Sequence, residues 1–396
     1  QPNSRWYSGC GIYRHVWVES AAAVSVGHWG TYIVPVLKGN GTAQFKVVAS
    51  IENTTGKAVK AIVRNTLLDA EGRRVASSQS AMKLAAKGDN TQTLSLRKPR
   101  LWSVEHPYIY TMRTEVVVDG SVVDTYDTTT GVRTFKFDSK KGFSLNGKSM
   151  KINGVCQHHD LGCLGAALSE DALHRQLTML RDMGCNAVRC SHNPPSPELL
   201  NMCDTMGIIV MDESFDMWRK KKTQNDYARF FDEWHERDLT DLIVRDRNHP
   251  SILMWSIGNE VLEQWNQADA DTLTLEQANR ILNFGHDMTE QAKESGMNIN
   301  SLLTKRLADI VRSLDPTRPI TAGCNEPEPS NNLFRSKALD IIGFNYHRQW
   351  IKDVPKNFPN MPFLMTESVS ALQTRGHYTM PSDSLIAAPL SWDKEY

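Results

Sequence analysis

The chain has 396 residues, 40% of them hydrophobic, and its 45 basic and 45 acidic side chains cancel. That length suits two or three domains with cores of their own. The balanced charge, whose longest basic block is Arg219 to Lys222, favours neither nucleic acid nor an anionic membrane surface as a partner.

No run of about 18 apolar residues is present to span a bilayer. The seven cysteines fall mostly inside apolar runs and read as small buried hydrophobes rather than a disulfide framework or a metal clip. "QPNSRWYSGC" lacks the regions of a signal peptide. The start at Gln1 leaves the compartment open, with a periplasmic or secreted location slightly favoured over the cytoplasm.

In chain order, residues 1–29 contain "GCGIYRHVWVE", an alternating strand with no partner strand before it, expected to end a preceding domain. Residues 30–134 are short β-runs broken by turn formers: "QFKVVASIEN", "AVKAIVRNTLLDAEGRRV" and "IYTMRTEVVVDGSVVDTY". In the last, Asp119-Gly120 between valine-rich runs signals a hairpin. Roughly a hundred residues of this kind predict a β-sandwich.

From 135 to 396 strands alternate with helices. "MKINGV" (150–155) is the first strand. Ser169 then caps a helix whose Glu170 and Asp171 suit its N-terminal end; Leu173, Leu177 and Leu180 form its apolar face and Gly184 stops it. "NAVRC" (186–190), a helix from Ser196-Pro197 to Gly207, "IIVMD" (208–212) and a helix through Trp234, Leu239, Leu242 and Ile243 lead to "SILMWSI" (251–257). "PITAG" (319–323), "DIIGFN" (340–345) and "FLMTE" (363–367) complete seven strands. Such short apolar strands are covered on both faces, and the alternation makes them parallel. Nearly all end in polar residues: "CQHHD", "RCSHN", "DES", "GNE", "NYH", "TES". In a closed (β/α)8 barrel these ends share the rim where such enzymes keep their chemistry. No dinucleotide fingerprint or Walker loop supports an open sheet.

Glu260 and Glu367 end the fourth and seventh strands, which face each other across a barrel, so the two carboxylates are expected to meet in one cavity. Such a pair is the minimal equipment for glycoside hydrolysis, one group protonating the leaving oxygen and the other attacking the anomeric carbon or activating water. Asn259 is suited to a sugar hydroxyl. Arg189 and His192 could keep a nucleophilic carboxylate ionised, and Tyr346 could donate to it. His158, His159 and Asp160 are read as sugar-hydroxyl contacts. Trp218, Trp350 and Trp392 offer stacking faces, whereas mid-strand Trp255 is read as core. Without HExxH, CxxC or a spaced third histidine, no metal or other cofactor is assigned. Ser191-His192 lacks a nucleophile elbow.

"RDRNHPSILMWSIGNE", "NAVRCSHNPPSPELLNMCDTMGIIVMDES", "NGVCQHHDLGCLGA" and "SRWYSGCGIYRHV" resemble glycoside hydrolase family 2, and within it the β-galactosidase-like members. The resemblance implies a jelly-roll sugar-binding domain (of which 1–29 would be the end), an immunoglobulin-like sandwich (30–134) and a TIM barrel (135–396). It also implies retaining hydrolysis of β-glycosides, with Glu260 as acid/base, Glu367 as nucleophile and Asn259 on the 2-hydroxyl. Tyr346 would neighbour the nucleophile, and His159 and His192 would contact sugar hydroxyls. Three departures stand out. "TES" puts Ser368 where an aromatic residue is usual, Met217 and Arg219 occupy the positions of the family's magnesium ligands, and "LIAAPLSWDKEY" contains no convincing eighth strand. A barrel open there would expose apolar edges and be poorly stable. The expected substrate is a β-linked oligosaccharide or glycoside with a terminal β-D-galactosyl residue. β-Glucuronidase, β-mannosidase and a non-catalytic carbohydrate-binding fragment are the alternatives, and homo-oligomer assembly stays open.

Overall fold

A computed structural model describes residues 11–265 and 299–369. Cys10, Trp392 and the "LIAAPLSWDKEY" stretch lie outside the described residues. Seven strands come first: β1 (Val24–Leu37), β2 (Thr42–Asn53), β3 (Val59–Leu68), β4 (Arg74–Leu84), β5 (Lys87–Arg97), β6 (Tyr110–Val118) and β7 (Ser121–Thr130). They form two antiparallel sheets, ordered β1-β2-β5 and β4-β3-β6-β7. Along β2, Ala43, Phe45, Val47, Ala49 and Ile51 are buried, and Ala61, Val63 and Leu67 of β3 face them from the other sheet. This is the period-two pattern of strands with one wet face. Asp119 and Gly120 join β6 to β7 with φ of 50° and 82°, both left-handed, as a two-residue hairpin turn requires.

The alternating strand expected in "GCGIYRHVWVE" is not formed among the described residues 11–23. Alternation supplies a face but not a ladder, and here the chain bonds sideways to loops instead. Tyr13 O accepts from Leu168 N at 2.9 Å and Arg14 Nη2 donates to Pro194 O at 2.9 Å. A small antiparallel sheet of β8 (Phe135–Asp138), β9 (Gly142–Leu145) and β10 (Lys148–Ser149) was not anticipated. Its signal was Asn146-Gly147, with φ of 51° and 79°, the same hairpin chemistry as Asp119-Gly120.

The parallel strands follow: β11 (Gly154–Gln157), β12 (Ala187–Cys190), β13 (Ile209–Glu213), β14 (Ile252–Asn259) and β15 (Ile320–Gly323) in one sheet, then the pair β16 (Ile342–Asn345) and β17 (Phe363–Glu367). A parallel bridge between Cys324 and Phe344 links the two groups. The Cys156 thiol beside β17 donates to Thr366 O at 3.3 Å, so β17 returns to β11. β11 starts later than "MKINGV" predicts because Asn153 N–H is taken by the Asn186 side chain at 2.8 Å instead of by a ladder. Strands β12, β13 and β14 are buried at every residue, as expected of strands covered on both faces.

Helices α1 (Glu170–Asp182), α2 (Pro197–Met206) and α3 (Ala228–Asp246) pack outside, joined by the helix Ile299–Leu314. Ser169 and Ser196 cap α1 and α2 as expected. Trp234 of α3 is solvent-facing under Arg237, and Phe231 takes the core position instead. Trp218 and Trp255 are both fully buried, so Trp218 is core rather than a stacking face; their indole N–H groups donate to Ile257 O at 2.8 Å and Asp315 Oδ2 at 3.0 Å. The described cysteines are free; Cys190, Cys203 and Cys324 are buried, whereas Cys163 is exposed.

Sandwich and parallel strands share a polar seam. The buried Trp102 donates through Nε1 to Asp204 O at 2.8 Å. The Asp204 carboxylate in turn takes His249 Nδ1 at 2.6 Å and Ser251 N at 3.0 Å. Asn248 bridges to β1, accepting from Ile33 N and donating to Thr31 O, each at 2.9 Å. Gly207 ends α2 at φ 74°, and a Cβ there would lie 2.3 Å from Val104 O. Gly207→Ala is therefore expected to destabilise the chain by roughly 2–4 kcal/mol, left-handed strain plus a backbone clash. Urea unfolding with an unchanged slope checks this.

Candidate active site

The polar tips of β13, β14 and β17 converge on one buried guanidinium carried by β12. Arg189, on β12, donates from Nε and Nη2 to Glu213 of β13 at 3.0 and 2.8 Å, from Nη1 to Glu367 of β17 at 2.6 Å, and from Nη2 to Asn259 of β14 at 2.9 Å. Gly323 makes room, since a Cβ there would sit 2.5 Å from Arg189 Nη2. Asn345, on β16, ties the other carboxylate in: its Nδ2 donates to Glu260 Oε1 at 2.9 Å and to Asn259 Oδ1 at 3.1 Å. In the β16–β17 ladder Asn345 sits opposite Glu367. Glu260 and Glu367, distant in sequence, are thus connected through Asn345 on one side and through Asn259 and Arg189 on the other.

Their settings differ. Burial alone would raise the Glu367 carboxyl, but the Arg189 guanidinium and the donating Tyr346 hydroxyl hold it below its ordinary range. Glu213 pairs with the same guanidinium yet shifts upward, because it is wholly enclosed and desolvation outweighs Arg189 and the Ser256 hydroxyl at 2.6 Å. Burial and the adjacent Arg189 push His192 well below its usual value, leaving a neutral ring. Its Nδ1 lies 2.7 Å from Glu213 Oε1 and its Nε2 3.5 Å from Glu367 Oε1. Glu260 and Tyr346 both occupy left-handed backbone, at φ 42° and 56°. The fixing bonds are Glu260 N to Gly323 O and Tyr346 N to Glu367 O, each 2.6 Å. Such strain persists only where the surroundings over-determine it, and it clusters at functional sites.

Asn259 is spoken for on both sides: Oδ1 accepts from Arg189 and Asn345, and Nδ2 donates to Asp216 Oδ1 at 2.8 Å. One Nδ2 hydrogen is left for a ligand. His159 and Asp160 stand apart from this network. His159 Nε2 bonds Ala166 O at 2.9 Å, and Asp160 Oδ1 accepts Gly162 N at 2.7 Å to cap its own loop. The ring of His158 meets that of His192 edge-on at 5.2 Å. A cleft of about 580 Å³ opens beside His192 and Asp216, walled by Tyr13, Trp29, Tyr227 and Phe230. Trp350 stacks on His347 at 5.0 Å.

Sequence reasoning missed Glu213, Asp216, Lys222, Asn345 and Thr366, whose Oγ1 donates to Asn345 Oδ1 at 2.5 Å. The strand-tip strings "DES" and "FNYH" were the available signals. It also missed Glu263 and Glu326, both pushed up to about 7 by burial. Met217 is buried and Arg219 pairs with Asp232 at 3.4 Å. Among the described residues no cluster of His, Cys, Asp and Glu is arranged to hold a metal ion, and no helix is long and apolar enough to cross a membrane.

A β-sandwich is followed by parallel strands whose tips bring Glu260 and Glu367 into one hydrogen-bond network. The chain belongs to glycosyl hydrolases family 2: that family's TIM barrel domain matches residues 138–386, and a second family 2 domain matches residues 29–133. β-Galactosidase BoGH2A of Bacteroides ovatus is 56% identical over 398 aligned positions, covering 100% of this chain and 47% of that protein. A β-glucuronidase of Bacteroides fragilis is 27% identical over 357 positions, covering 87% of this chain and 46% of that protein. Among solved structures, a family 2 member from Bacteroides cellulosilyticus superposes with a TM-score of 0.80 at 34% identity, covering 91% of this chain and 43% of that one. A β-glycosidase from Bacteroides vulgatus does so with 0.76 at 36%, covering 95% and 43%. The chain thus spans less than half the length of each of these relatives.

Arg189→Met strands two enclosed carboxylates without their cation, and is expected to destabilise the fold by about 3–5 kcal/mol at pH 7. The deficit should shrink as the pH falls and Glu213 and Glu367 take up protons. Denaturant titrations at several pH values check both size and trend.

Proposed function

We propose that the chain carries the catalytic centre of a retaining, exo-acting β-glycosidase whose substrates end in a β-D-galactosyl residue. Glu260 protonates the leaving oxygen while Glu367 attacks the anomeric carbon, forming a covalent glycosyl intermediate. Water deprotonated by Glu260 then releases the sugar. The observation that carries this reading is the setting of Glu367, ionised under Arg189 and Tyr346, against that of Glu260, whose Oε1 takes the neutral Asn345 amide. Asn259 meets the 2-hydroxyl with its remaining Nδ2 hydrogen. His192 contacts a hydroxyl beside Glu367, and His159 and Asp160 contribute at the outer edge. The galactoside preference is supported by the likeness to BoGH2A.

We infer further that β11 to β17 are the first seven strands of a (β/α)8 barrel beginning near residue 135. The sandwich spans 30–134, and residues 1–29 end a jelly-roll domain. The alternation of strand and helix and the approach of β17 to β11 support the barrel.

Glu367→Gln is expected to abolish turnover of aryl β-galactosides, and Glu260→Ala to be rescued by azide on an activated aryl leaving group. Near-normal hydrolysis by Glu367→Gln would remove the assignment. Assaying galactoside, glucuronide and mannoside in parallel ranks the sugars. Because Glu367 is depressed below its ordinary value of 4.5, its charged form persists to below that pH, and the acid limb of kcat/KM should lie below about 4.5. Tyr346→Phe withdraws a donor to the ionised form, so the limb should move upward in a pH–rate profile.

A further inference from the structure

The basic run Arg219–Lys222 is the longest in the sequence, and its last member is enclosed. Lys222 is fully buried, and its Nζ donates to Asp216 Oδ1 at 2.8 Å and to Asn259 O at 2.7 Å. The same Asp216 oxygen accepts Asn259 Nδ2 at 2.8 Å. The loop that delivers the ammonium is pinned by Asp226 Oδ2, which accepts Lys222 N at 2.7 Å and Thr223 N at 2.8 Å. One cation therefore clasps the backbone carbonyl of Asn259 directly and its side-chain amide through a carboxylate.

An enclosed ammonium carries a desolvation penalty of several kcal/mol, and an apolar side chain of similar volume would fill the same space without it. What the charge adds is direction. Asp216 must stay in place for its Oδ1 to accept from Nδ2, while Arg189 and Asn345 present donors to Oδ1 of Asn259. An Asn259 amide turned over would set NH2 against two donors and an oxygen against a carboxylate.

We propose that Lys222 is a positioning residue for turnover: acting through Asp216, it fixes the orientation of the Asn259 amide beside Glu260, so that one Nδ2 hydrogen always faces the sugar. This rests on the glycosidase reading of Glu260 and Glu367.

The test is a double-mutant cycle on the full chain, measuring kcat/KM on an aryl β-galactoside for wild type, Lys222→Met, Asn259→Ala and the pair. Lys222→Met should lower kcat/KM by about 100-fold, the scale of a misplaced reacting geometry. In the Asn259→Ala background the loss should be no more than about 3-fold. Equal losses in both backgrounds would overturn the proposal. Should Lys222→Met not fold, Lys222→Met with Asp216→Leu replaces the enclosed pair by apolar groups, a change that such sites tolerate; wild-type kcat/KM in that variant would overturn it too. A separate readout uses selective 15N-asparagine labelling, with the Asn259 side-chain signals identified by their loss in Asn259→Ala. Lys222→Met should shift them, and unmoved signals overturn the positioning role whatever the activity. A wild-type chain that hydrolyses no aryl glycoside, with those signals still shifting, would instead remove the glycosidase reading alone.

Discussion

The structure turns on a single guanidinium. Arg189 is nearly without solvent contact, and a cation in that position demands anions with good geometry around it. Glu213 and Glu367 supply them from β13 and β17, and Asn259 adds a carbonyl oxygen from β14. A compact cationic hub of this kind reaches several strand ends at once because the guanidinium offers five donors in a rigid plane. The tip of β15 contributes by omission, since Gly323 carries no side chain to block it. The arrangement adds little to stability when weighed against an apolar core. What it achieves is to hold an acidic group charged in an enclosed space.

The two carboxylates of the site illustrate how one scaffold gives like groups unlike properties. Glu367 sits among donors on a strand end, and its left-handed neighbour Tyr346 is turned so that backbone and hydroxyl both serve it. Glu260 is itself the strained residue, bent out of β14 and secured by Gly323. Around them lies a second layer of buried polar groups, Glu213, Asp216, Lys222 and Ser256, that touch one another more than they touch open space. Their mutual hydrogen bonds hold this layer in one arrangement.

Much of this was legible along the chain. Strands β12 to β17 announced themselves because a strand covered on both faces is a short, continuous apolar run, and the polar residue that ends each run marks the rim. Glu260, Glu367, Arg189, His192 and Tyr346 all fell out of that rule. Lys222 did not, because a charge run is locally indistinguishable from a solvated one and only the folding back of its loop encloses it. Asp216 and Asn345 were hidden for a related reason: their importance lies in which neighbours they connect, and those neighbours are strands apart. "GCGIYRHVWVE" erred the other way, since alternation describes a face that awaits a partner edge. The side chains of His159 and Asp160 are engaged locally, apart from the network at the strand tips.

The seam at Asp204 has a reach that its position at the opposite end of β14 conceals. Its backbone is gripped by Trp102 of the sandwich, and its carboxylate grips His249 and Ser251, the last residues before β14. From there eight consecutive buried residues run without interruption to Asn259, with Glu260 next. A strand packed on every side neither stretches nor tilts independently, so it works as a pushrod whose foot rests on the neighbouring sandwich. The domain in front is in that sense a gauge block: a change in how Trp102 seats would shift the foot of the strand that ends at Asn259 and Glu260.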